Sequence, residues 1–120
     1  MSETLEEGIR LFNTQKYFEA HEALEAVWLG AGGEEKLFLH GLIQVAAAFH
    51  HHTRGNPAGF RSLLEKGLRK LENFGDTRSG LDLAGLRKQL QLWRNPLDKN
   101  QCSSPVATPP FPRIATTKGI

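Results

Sequence analysis

The chain has one cysteine in 120 residues, Cys102. That excludes an intrachain disulfide and any zinc site built from several cysteines, and it suits a reducing compartment. An excess of one charge is also missing. The formal net charge is +2, and residues 1–95 carry 12 Lys and Arg against 12 Asp and Glu. No basic stripe therefore marks a nucleic-acid-binding surface. Long apolar runs are absent too. The richest, Leu42–Phe49, is far shorter than a bilayer span and contains Gln44. No basic stretch followed by an apolar run opens the chain, so no signal peptide is expected. Gly30-Ala-Gly-Gly33 follows a helical pattern rather than a strand, which excludes a phosphate-binding loop. Ser62, Ser79, Ser103 and Ser104 lack a nucleophile-elbow pattern. The expectation is a cytoplasmic protein that binds neither nucleic acid nor membrane, as a monomer or a homodimer.

What is present is helical periodicity. Thr4-Leu-Glu-Glu7 has the form of a capping box, and Leu5, Ile9 and Phe12 follow at helical spacing to a first helix ending near Asn13. A second helix is expected from about Gln15 to Leu29, stopped by the glycines after it. A third opens at Glu34-Glu35 and runs to about Arg54. It is apolar over so much of its surface that it should be central. Gly55-Asn56-Pro57 ends that helix and begins the next, which runs to about Phe74. Gly59 and Gly67 lie within the fourth helix, where close helix packing is the reason to tolerate them. Residues 76–80 read as a loop, and Asp82 caps a fifth helix bearing Leu83, Leu86, Leu90 and Trp93. Beyond Asn95, prolines 96, 105, 109, 110 and 112 break any helical period. The fold class is thus an all-α bundle of about five helices over residues 1–95, with an extended Pro-rich C-terminal tail over 96–120. Phe111 and Ile114 are the tail residues able to anchor it on the bundle.

Four polar side chains interrupt the second helix: Glu19, His21, Glu22 and Glu25. His21 and Glu25, four residues apart, share a face with Leu24 and Trp28. On the third helix His40, Gln44 and His51 form one polar stripe by the same spacing. If the two stripes face each other, a polar site lies between the helices, where bundles commonly hold ligands. Three uses are open. In a small-molecule or hydrolase-like pocket, Glu22 or Glu25 is the base and His21 the acid/base group, with Trp28, Gln44 and His51 holding the ligand. A divalent metal on His21, Glu25 and His51 is a variant, since His21-Glu-Ala-Leu-Glu25 has zinc-helix spacing with its second His replaced. The second use is an interaction module for a partner protein or peptide. There the cluster is only a register network, a His21–Glu25 ion pair completed by Gln44 and the Trp28 indole N–H. The third is a purely structural role for that network. His50-His51-His52 cannot chelate one ion, because consecutive helical residues point ~100° apart.

Phe12-Asn13, then Tyr17-Phe18-Glu19-Ala-His21-Glu22-x-Leu24-Glu25-x-x-Trp28, resembles the signature of the domain of unknown function (DUF) 309 family. Phe38-Leu-x-Gly41-Leu-Ile-Gln44-x-Ala46-Ala, then His51, Arg54-Gly-Asn56 and Gly59, extend the match. The resemblance implies a compact bundle similar to the hyaluronidase post-catalytic helical domain and implies no established activity. It points to His21, Glu22, Glu25, Trp28, Gln44 and His51. His50 departs from the family pattern, where similar sequences carry tyrosine.

Overall fold

The computed structural model describes residues 4–94 and 110–116. Five helices run in order: α1 Leu5–Asn13, α2 Tyr17–Leu29, α3 Gly33–Thr53, α4 Pro57–Leu71 and α5 Leu83–Arg94. A two-residue antiparallel hairpin, β1 Thr77–Arg78 and β2 Leu81–Asp82, lies between α4 and α5. The all-α architecture expected from periodicity is the one observed. α3 is its centre, packed most extensively on α4 and α2, while α1 packs on α2. Phe38, Leu39, Leu42, Val45, Ala46 and Phe49 on α3 are completely or almost completely buried. A helix apolar on most of its surface can only be stable with neighbours on several sides. Among the described residues no helix is long and apolar enough to cross a membrane.

The helix boundaries follow local chemistry. The Thr4 hydroxyl accepts the Glu7 amide proton at 3.1 Å and so caps α1. The other half of the expected capping box is not made, because the Glu7 carboxylate pairs with Arg10 one turn on. The left-handed residue after α1 is Gln15 (φ +67°) rather than Asn13. Asn13 is used elsewhere. Gly55 closes α3 with φ +77°, and the Asn56 side chain accepts the Gly59 amide proton at 3.1 Å ahead of Pro57. Asp82 accepts the Gly85 amide proton at 2.9 Å at the start of α5.

α3 and α4 approach closely at two glycines. A Cβ on Gly67 would lie 2.8 Å from Val45 Cγ2 and 3.0 Å from the Gly41 carbonyl oxygen. Gly59 has a different reason. Its Cβ would strike the capping Asn56 amide and the His51 ring, so the cap itself excludes a side chain there.

The hairpin was not legible as strand, since two residues carry no periodicity. Ser79 (φ +54°) and Gly80 (φ +77°) form its two-residue turn, both left-handed as a type I′ turn requires. α4 ends at Leu71, one turn before the expected Phe74. Arg87 on α5 covers that end, donating to the carbonyls of Leu71, Phe74 and Gly75 at 3.4, 3.3 and 3.0 Å. Leu71 is the last residue of α4, whose carbonyl has no i+4 helical partner, and Phe74 and Gly75 belong to the turn that follows it. Phe74 is still buried, edge-on to Phe38, under the Arg78 guanidinium that also reaches Glu35 at 3.1 Å.

Of the expected tail, Pro110–Thr116 is described and lies against the bundle in extended form. Phe111 stacks on Trp93 and Ile114 is 2% exposed. Pro96, Pro105, Pro109, Cys102, Ser103 and Ser104 fall outside the described residues.

Candidate functional site

α2 and α3 are antiparallel neighbours. Phe18 lies 5.3 Å from His50 at one end of their contact and Trp28 lies 6.0 Å from His40 at the other, measured between ring centroids. Between these ends a cavity of ≈ 250 Å³ is lined by His21, Glu25 and Trp28 from α2 and by His40, Ile43, Gln44 and Ala47 from α3, with Leu63 of α4 as its floor. The expected facing of the two polar stripes is therefore present for His21, Glu25, Trp28 and Gln44, and His40 joins them.

Glu22 does not line the cavity; it is exposed on the outer side of α2. Nor does His51, although it shares the Gln44 stripe. Seven residues along a helix return to the same face about 10 Å further on. That displacement carries His51 past the cavity to the start of α4, where its Nδ1 lies 3.1 Å from Asn56 Nδ2. The metal set His21, Glu25 and His51 is thereby not assembled. Among the described residues no group of three or more His, Cys, Asp and Glu is placed to hold a metal ion.

The register network is not formed either. Glu25 is exposed at the cavity mouth, and among the described residues no ion pair joins it to His21. Instead His21 Nδ1 and Gln44 Oε1 are buried without a hydrogen-bond partner among the described residues. Leaving a buried polar atom unpaired costs about 1–3 kcal/mol, so two on residues that line one cavity call for an explanation. Tyr17 Oη is a third such atom, but it lies in the aromatic core against Phe12 and Phe49. Burial raises the Tyr17 pKa, so the phenol stays protonated.

The electrostatics favour a neutral imidazole at His40. Burial lowers its pKa, and Lys70 on α4 lowers it further. His50, beyond the other end of the cavity, is lowered by burial and by Arg54, His51 and His21, against a smaller opposing effect of Glu19. Both groups are neutral in the fold where a free histidine, at about 6.5, would begin to protonate. On lowering the pH through that value the unfolded chain takes up protons first, so stability is present above it and falls below it. The melting temperature should decline between about pH 7 and pH 5, and His40→Gln should flatten part of that decline. A profile identical to wild type would show that His40 carries no such linkage.

Chemically, the cavity offers an imidazole held neutral, a carboxylate at the mouth and an amide oxygen at depth. The Trp28 ring forms one wall, with Lys36 Nζ 4.3 Å from its centroid. Among the described residues no Ser, Thr or Cys lines it, so the described lining offers a covalent route no hydroxyl or thiol nucleophile. Proton transfer by Glu25, His21 or His40 is the chemistry these side chains can carry. Sequence reading placed His40 in the polar stripe but gave it no role at the site. Its signal was present, since it stands one turn from Gln44 on the same stripe.

Two curated relatives match this chain. An uncharacterised protein of Aquifex aeolicus (strain VF5) is 34% identical over 91 residues, covering 75% of this chain and 27% of that protein. The uncharacterised protein YpuF of Bacillus subtilis (strain 168) is 40% identical over 60 residues, covering 49% of this chain and 34% of that protein. The chain thus spans about a quarter to a third of the length of these relatives. The model of the domain of unknown function DUF309 matches residues 5–63, a segment that runs from α1 to Leu63 and includes every residue lining the cavity. Over that segment, about half its length, the chain belongs to the DUF309 family.

Proposed function

We propose that the cavity between α2 and α3 is a binding site for a small polar molecule. The observation that carries this reading is the pair of buried, unpartnered atoms on facing helices, His21 Nδ1 and Gln44 Oε1, at one cavity. Once the two side chains turn these atoms into the cavity, a ligand that donates to Gln44 and bonds His21 would remove both desolvation costs at once. The size of the cavity sets the size of the ligand. At ≈ 250 Å³ it falls just below the usual range for drug-sized ligands, and it matches about eight water volumes. Trp28 and His40 provide flat walls for a planar group. If the ligand is a substrate, Glu25 at the mouth is placed as base and His21 as acid, with Gln44 orienting the reacting group. An unpaired cluster gives little support to a role in helix register, because a register device works through the bonds it makes.

The test is a thermal-shift survey of small metabolites against the wild-type protein and Gln44→Leu. Replacing the amide by an apolar group of similar size removes the unpaired acceptor. Gln44→Leu should therefore melt at an unchanged or higher temperature, by up to about 5 °C for a gain of about 1 kcal/mol. It should also lose any ligand-induced shift seen in the wild type. A Gln44→Leu protein that melts several degrees lower, with no metabolite shifting the wild type, would return the cluster to a structural role.

A further inference from the structure

The way residues 110–116 are held has no part in that cavity. The side-chain amide of Gln89, on α5, donates from Nε2 to the Arg113 carbonyl at 2.9 Å and accepts the Arg113 amide proton at Oε1, also at 2.9 Å. The side-chain amide of Asn13, at the end of α1, does the same to the next residue. Its Nδ2 donates to the Ile114 carbonyl at 3.0 Å, and its Oδ1 accepts the Ile114 amide proton at 2.7 Å. Successive residues of an extended chain turn their main-chain groups to opposite edges. The two carboxamides therefore grip both edges of one strand, as neighbouring strands of a sheet would. The hairpin adds a third grip: Asp82 donates its amide proton to the Ala115 carbonyl at 2.8 Å, and Leu81 bridges Thr116 in antiparallel sense. Trp93 Nε1 donates to the Pro110 carbonyl at 3.0 Å.

We propose that this groove, between α1, the hairpin and α5, is a recognition site for an extended peptide. Residues 110–116 occupy it in cis, and its partner is a protein segment carrying the same aromatic–proline–any–aliphatic pattern. Nearly all the polar recognition falls on main-chain atoms, which any sequence supplies. Two side chains add selectivity. Phe111 stacks on Trp93 with centroids 5.6 Å apart, and Ile114 is 2% exposed. Arg113 between them is exposed and so unselected. Pro112 is buried, holds the chain extended and brings no amide proton that would need a partner. Strand addition of this kind takes affinity from the main chain and specificity from alternate pockets. The tethered segment competes at an effective concentration on the order of millimolar, so a partner must displace it.

The test uses the full chain with Phe111→Asp and Ile114→Asp, which frees the groove, and a fluorescently labelled peptide of residues 108–117. Anisotropy should show the peptide binding this variant at least tenfold more tightly than wild type. Adding Gln89→Ala should abolish the gain, as should Asp at the two apolar peptide positions. No binding to a variant whose circular dichroism shows intact helices would overturn the proposal. Should the double substitution unfold the bundle, the wild-type chain decides. Saturable broadening of the Trp93 indole N–H resonance by millimolar peptide carrying a nitroxide spin label supports the groove, and an unbroadened resonance overturns it. Light scattering during either titration separates peptide capture from pairing of two copies, and a dimer that forms without peptide also counts against it.

Discussion

Phe49→Ala should lower the stability of the domain by about 3–5 kcal/mol, the range for truncating a buried aromatic. Phe49 is 0% exposed. Its ring meets one aromatic ring from each of the other four helices and one from the extended segment. These are Phe12 of α1 at 6.4 Å, Tyr17 of α2 at 5.5 Å, Phe60 of α4 at 5.2 Å, Trp93 of α5 at 5.0 Å and Phe111 of the extended segment at 6.2 Å. Each edge-on pair adds to the burial itself. The neighbours come from five separate pieces of backbone and cannot all move inward, so most of the cavity left by truncation stays open. Domains of this size are stable by about 5–15 kcal/mol in total, which puts the variant near the edge of folding. Urea unfolding with an unchanged slope and a much lower midpoint is the expected result. A loss below about 1 kcal/mol would mean that the ring is not the hub its contacts describe. Phe49→Leu should cost less, since it keeps much of the volume.

The second large effect is expected at Gly67. Gly67→Val would place a Cβ 2.8 Å from Val45 Cγ2, 3.0 Å from the Gly41 oxygen and 3.2 Å from the Val45 nitrogen. Two of these atoms are backbone of the central helix, so rotating a side chain cannot relieve the clash. α4 must move away from α3 along its most extensive contact, and overpacking of this kind costs about 3 kcal/mol or more. Gly75→Ala is the control, with nothing within 4 Å of the new Cβ and no left-handed backbone. It should change stability by less than about 0.5 kcal/mol. Equal behaviour of the two variants would contradict the close approach of α3 and α4. Leu63 on α4 floors the cavity, so a folded Gly67 variant should also show an altered ligand response.

The starts of α1, α4 and α5 were legible because each rests on a side chain bonding a backbone group three residues away, whereas α2 and α3 start at Lys16 and Gly32 without a side-chain cap. Thr4, Asn56 with Pro57, and Asp82 all announce themselves within four letters. Phe111 and Ile114 could be named as anchors because they are apolar among prolines. Asn13 and Gln89 could not be named as their clamps. Nothing local separates a carboxamide that bonds a strand a hundred residues away from one that faces water. The hairpin escaped because two-residue strands have no period. Arg78 and Arg87 carry no local signal of their partners, which are Glu35 at the start of α3 and the carbonyls at and after the end of α4.

The same division runs through the candidate site. The sequence alone determined the helical class, the central helix and the two polar stripes, since each follows from a repeat along one helix, and it left open which members of the stripes meet. Tertiary structure alone decided that His40 and not His51 lines the cavity, that His51 lies about one turn beyond the last lining residue, Ala47, and that Glu25 stands exposed at its mouth. The reason is geometric. Spacing along a helix fixes the direction of a side chain. The level at which it meets the neighbouring helix depends on how α2 slides against α3, and side chains from both helices set that together.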